Sequence, residues 1–280
     1  MKSYIYSLLM IIFLISCGDK KDTRPGDNAN QTDTSKPINH YPWVQSIHAV
    51  LGVPFDKDSS DDYIIIRDQY VISYNKNTNI CNWVAWELDS GWFGSVSRYS
   101  GNFIADTSLP ENFYHVKHSD YTNSGYDRGH MVMSEERTQT AEDNKTTFLL
   151  TNIIPQTPDL NRGVWLRFET YCNDLCWNQD KELFVVSGPI IHSKATLNDA
   201  GIVPIPDSCF KIVVVLDRGQ SLKDVTSSTQ VIAVVMPNIA GISKDPWENY
   251  QTTVRRIEYS TGYDFLNLLP KSIQDTIETK

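Results

Sequence analysis

The chain has no excess of positive charge. Against 34 Asp and Glu stand 25 Lys and Arg, a formal net charge of −9 over 280 residues. A uniformly basic coat for nucleic acid is excluded, so any phosphate contact must come from a local cluster. The apolar run at the N-terminus, Tyr4 to Ile15, falls short of the roughly twenty residues that span a bilayer. There is no glycine-rich phosphate loop and no nucleophilic Ser elbow, which removes nucleotide-driven motors and serine hydrolases. Cysteine is scarce, and the pair Cys172 and Cys176 has no third Cys or His at a zinc spacing. The remaining composition, 40% hydrophobic and 21% charged with 14 Gly and 13 Pro, excludes disorder, collagen and coiled coil for the whole chain.

What is present begins with an address. Met1-Lys2, the apolar run and Leu14-Ile15-Ser16-Cys17 resemble a bacterial lipoprotein signal, in which Cys17 is acylated and becomes the new N-terminus. The expectation is an exported, lipid-anchored protein on an outer-membrane, periplasmic or cell-surface side, with the membrane as a partner. Residues 1–17 are read as the signal, 18–40 as a flexible polar tether and 41–280 as one domain. Removing Lys2 leaves a mature charge of 25 − 1 − 34 = −10. Cys81, Cys172, Cys176 and Cys209 permit two disulfides with three possible connectivities.

Short β-branched and aromatic runs predict strands at 63–67, 70–74, 82–88, 148–154, 183–187, 210–216 and 231–236. Helical periodicity runs from Gly163 to Asn178, with Trp165, Phe168, Cys172, Leu175 and Cys176 on one side. Asp245-Pro246-Trp247-Glu248 reads as the capped start of another helix toward Ile257. Strands dominate without regular strand–helix alternation, so the fold class is α+β.

Two segments carry chemistry. Asp127-Arg128-Gly129-His130 places a proton acceptor near neutral pH beside a fixed cation. Asn152-Ile153-Ile154-Pro155-Gln156 and then Leu160-Asn161-Arg162-Gly163-Val164-Trp165, with Arg167 and Glu169, gather amide and carboxylate oxygens at the start of the long helix. Those oxygens suit a hard cation such as Mg²⁺. Taken separately, each segment also has a plain structural reading: Asn161 as a helix cap, Glu169 as a solvated side chain, His130 as a satisfied histidine.

Together and in this order, the motifs closely resemble the DNA/RNA non-specific endonuclease family, the ββα-metal or His-Me finger nucleases. The resemblance covers about Tyr63 to Pro270, including Tyr74-Asn75, Asn82 to Ala85, Ser187-Gly188-Pro189, Pro206 with Lys211, and Thr261 to Phe265. It implies a mostly antiparallel central sheet with flanking helices around a ββα-metal core. It further implies a Mg²⁺-dependent hydrolysis of phosphodiester bonds in DNA or RNA with little sequence preference, Mn²⁺ being able to stand in. Residue by residue, His130 matches the general base, Asn161 the metal ligand, Glu169 the holder of metal-bound water and Arg128 a phosphate donor. Asn152, Gln156, Arg162, Arg167 and Asp127 match nucleic-acid-binding or supporting positions. Asn173 stands where many members carry an Arg after Tyr-Cys, so one phosphate contact is either lost or supplied instead by Arg162 or Arg167. Arg128, Arg137, Lys145, Arg162 and Arg167 form the local basic cluster that an acidic chain requires. The alternative of another class is a surface lipoprotein that uses an inactive nuclease fold to capture extracellular nucleic acid.

Overall fold

The computed structural model describes residues 37–198 and 201–280. The signal, Cys17 and most of the tether lie outside the described residues. In chain order the strands are β1 (Tyr63–Ile66), β2 (Val71–Asn75), β3 (Ile80–Leu88), β4 (Asp127–His130), β5 (Ile153–Gln156), β6 (Lys181–Ile190), β7 (Ser208–Asp217), β8 (Gln230–Pro237) and β9 (Gln251–Thr252). The helices are α1 (Ala141–Thr146), α2 (Leu166–Gln179), α3 (Val254–Thr261) and α4 (Lys271–Ile277). A seven-stranded sheet has the order β1-β2-β3-β6-β7-β8-β9, and every neighbouring pair is antiparallel. β4 and β5 form a separate two-stranded hairpin. The architecture is α+β.

Alternation along β7 shows how the sheet divides the core. Phe210, Ile212, Val214 and Leu216 enter the cluster that includes Val254, Ile257 and Ile277 of α3 and α4. Cys209, Val213 and Val215 enter the other, with Phe168, Cys172, Leu175 and Cys176 of α2 and Ile153 and Ile154 of β5. A period of two on the strand thus meets a period of 3.6 on the helix. Asp180, left-handed at φ 50°, ends α2 by donating its N–H to the Leu175 carbonyl.

Three expectations are corrected. The helix predicted from Asp245 to Ile257 breaks into a short turn at Trp247–Tyr250, strand β9 on the edge of β8, and α3. Thr253 accounts for the break: its hydroxyl accepts from Arg256 N–H and starts a new helix after the extended pair. The strand predicted at 148–154 is extended only from Ile153, because a turn occupies Leu150–Asn152 and closes through Ile153 N–H to the Leu150 carbonyl. All four domain cysteines are free and buried, without a disulfide.

Candidate active site

The site is built on the β4–β5 hairpin and the start of α2. Asp127 pairs with Gln156, Arg128 with Pro155, Gly129 with Ile154 and His130 with Ile153. Gly129 is required by close approach, since a Cβ there would lie 2.2 Å from Gln156 Oε1. Asn152 clasps the strand's exit: its Oδ1 accepts from Val132 N–H at 3.0 Å, and its Nδ2 donates to the Val132 and Thr147 carbonyls. The chain then passes through Leu160–Trp165, a kinked turn with Gly163 off helical geometry at φ −109° and ψ −107°, into α2. A Cβ on Gly163 would sit 2.6 Å from Ser243 Cα, so the kink also needs glycine.

Asp127 and Asn161 are brought together from opposite sides of this arrangement. Asn161 Nδ2 donates to Asp127 Oδ2 at 2.9 Å, and Arg162 clamps the same carboxylate through Nε at 2.7 Å and Nη2 at 2.5 Å. Burial pushes the Asp127 carboxyl up, but the bonds from Arg162 and Asn161 prevail and hold it below the usual carboxylate range. With Nδ2 committed, the Asn161 amide is fixed in orientation and its Oδ1 remains available. Among the described residues no group of three or more His, Cys, Asp or Glu is arranged to hold a metal ion. An amide oxygen supplemented by water fits a hard cation that keeps much of its hydration.

His130 lies between aromatic rings, 4.9 Å from the Phe148 centroid in edge geometry and 5.3 Å from Phe103. Its Nε2 is buried without a partner. Burial lowers its pKa to about 3, and the nearby positive charge of Arg98 adds to the effect. The imidazole is therefore neutral at neutral pH. Arg98 also stacks its guanidinium 4.8 Å over Phe148. It lies in an irregular loop, where neither spacing nor periodicity singled it out.

The other residues divide. Arg128 is two positions from His130 on one strand face; its Nη2 donates to the His118 carbonyl at 2.8 Å, and its guanidinium lies over Phe103 and Tyr121. Gln156 is wholly buried, with Nε2 directed at Cys209 Sγ. Glu169 is buried and bonded to Lys211. Arg167 is exposed and donates to the Asp245 carbonyl. Asn173 is buried against Met133 and takes no surface role. Arg137 is a correction: it is fully buried, donates to the carbonyls of Gln69, Glu87 and Glu136, and stacks 4.1 Å over Trp92. It is a core residue, not part of a phosphate-binding surface.

A two-stranded antiparallel pair carrying His130, followed by the kinked turn that holds Asn161 and then by helix α2, defines a ββα nuclease core. The family model for DNA/RNA non-specific endonucleases matches residues 52–272, and the chain belongs to that family. It is similar to a nuclease of Nostoc sp. (strain PCC 7120 / SAG 25.82 / UTEX 2576), 45% identical over 84% of this chain and 86% of that one. A nuclease of Syncephalastrum racemosum is 31% identical over 75% of this chain and 69% of its own. Among solved structures, EndoG in the EndoG/EndoGI complex superposes with a TM-score of 0.66 at 26% identity, covering 79% of this chain and 90% of that one. The protein is an endonuclease, a phosphodiesterase with nucleic acid as its substrate.

Proposed function

We propose that the protein is a Mg²⁺-dependent endonuclease, tolerant of Mn²⁺, that hydrolyses DNA or RNA with little sequence preference, with His130 as general base. The observation that carries this reading is the placement of His130, with Nε2 enclosed and unpartnered, on the strand whose Asp127 orients Asn161. With Nε2 enclosed, Nδ1 is the nitrogen left to face solvent. It takes a proton from water as the water oxygen bonds to phosphorus and the bond to the 3′-oxygen breaks, that oxygen gaining a proton from solvent. Asn161 Oδ1 would hold the cation, which supplies charge stabilisation to the phosphate and the leaving oxygen. Arg128 and Arg98 offer donors for phosphate, and contacts to phosphate carry no base information. Glu169 would hold water of the cation, as the family resemblance suggests.

The export reading rests on Leu14-Ile15-Ser16-Cys17, and we place the enzyme at a membrane through a lipid on Cys17. The activity is tested by plasmid nicking with Mg²⁺ and with chelator, for wild type and His130→Ala. Wild type should cut only with the metal, and His130→Ala should lose at least about 10²–10⁴-fold in rate while still binding DNA. A loss under about tenfold would remove His130 as the base. Binding without cleavage by wild type would favour the capture protein.

A further inference from the structure

One inward position on β7 is not apolar. Lys211, 1% exposed, lies between Cys209 and Val213, both buried in the core beneath α2. Its Nζ lies 4.5 Å from the Trp165 ring centroid and 5.3 Å from that of Trp86, and donates to Glu169 Oε1 at 3.0 Å. Glu169 is itself 5% exposed. Next to the pair, Glu136 is buried with Oε2 accepting from Trp86 Nε1 at 2.8 Å. An ammonium between two indoles thus serves a carboxylate on the first turn of α2.

Stability gives no reason for this arrangement. Burying an ammonium and a carboxylate costs several kcal/mol per ion, and apolar residues of like volume often hold a core as well or better. A methionine would fill the slot between the two indoles and continue the apolar pattern of the strand. What it could not do is aim the Glu169 carboxylate, or oppose the burial that pushes that carboxyl's pKa up. Lys211 fixes one oxygen, Oε1, by a charge-assisted bond and so sets the direction of the carboxylate.

We propose that Lys211 is a positioning residue of the nuclease reaction, holding the Glu169 carboxylate oriented so that it can order the water of the bound cation. The proposal deepens the functional reading above and rests on it. The test uses the full chain and compares wild type, Lys211→Met, Glu169→Gln and the double variant in plasmid cleavage across a Mg²⁺ titration, with thermal unfolding recorded for each. Lys211→Met should lower kcat or raise the half-saturating Mg²⁺ by about 10–100-fold, the range for groups that orient metal ligands. KM for the plasmid should stay within about twofold, since no phosphate contact is removed. In the Glu169→Gln background the same substitution should change little, because the group it positions is already gone. Should Lys211→Met alone fail to fold, the double variant, which removes both partners of the Lys211–Glu169 pair, supplies that second comparison. A folded Lys211→Met with wild-type kcat and Mg²⁺ dependence overturns the proposal. So does a further loss of about tenfold or more on going from Glu169→Gln to the double variant. An inactive wild type would instead overturn the nuclease mechanism itself, whatever Lys211 does.

Discussion

His130 and Asn161 illustrate two ways in which a single residue is prepared. The imidazole is prepared by burial between Phe103 and Phe148, which keeps it unprotonated. The amide is prepared by one directed bond: Asp127 takes the Nδ2 hydrogen and so decides which way Oδ1 points. Because Asp127 is itself clamped by Arg162, the amide's direction is held on both sides. Asn161→Ala should therefore raise the Mg²⁺ needed for half-maximal cleavage and lower the maximal rate, together by about tenfold or more. A Mg²⁺ titration of the purified variant checks this, and an unchanged curve would move the metal elsewhere.

At the scale of elements, the β3 strand is tied to the chain before the sheet through one histidine. His48, in the short turn Ile47–Ala49, accepts from Glu87 N–H on Nδ1 at 3.0 Å and meets the Asp68 carbonyl through Nε2 at 2.7 Å. A carbonyl only accepts, so the proton is on Nε2 and the ring is neutral. Burial lowers its pKa from 6.5 to about 4, and Arg137 adds to the effect against the bond to Asp68. The folded pKa lies below the unfolded one. This contribution is thus complete above pH 6.5 and is lost as the pH falls toward 4. Compared with His48→Gln, wild type should lose about 2 kcal/mol of its relative stability between pH 7 and pH 5. Denaturant melts of both proteins at the two pH values measure it; a pH-independent difference would mean that His48 is not held neutral.

For the whole molecule the balance of charge bears on the proposed lipid anchor. A chain of net charge −9 repels polyanions at long range, so nucleic acid must be met at a local cluster of exposed cations near the site. Arg137 is withdrawn from that set by burial, while Arg98, Lys145, Arg162 and Arg167 remain exposed. Outside the cytoplasm such an enzyme would spare its own genome. One acyl chain binds membranes only marginally, at about 0.8 kcal/mol per buried CH₂, and several chains anchor stably. Cys17→Ala should abolish incorporation of labelled fatty acid and leave unprocessed precursor. Wild-type protein that takes up no label and appears free in the medium would show Cys17 to be incidental.

The sequence by itself determined the class of fold, the family and the core strands. Alternating and β-branched runs carry their own period, and Asp127 to His130 followed by Asn161 is a local string that needs no neighbours to be read. Strand β4 was missed because Asp-Arg-Gly-His has no apolar alternation; it is extended only because β5 pairs with it. The single helix expected after Asp245 failed for the same reason, since β8 captures Gln251 and Thr252 from outside the segment. Only the tertiary structure decided what each polar residue faces. Arg137 and Lys211 look like ordinary surface cations in the chain, yet one is spent on backbone carbonyls in the core and the other on Glu169. Arg98 is distant from His130 in sequence and joins it through Phe148. Burial and electrostatic partnership are set by distances through space, and a one-dimensional string encodes them only through the fold.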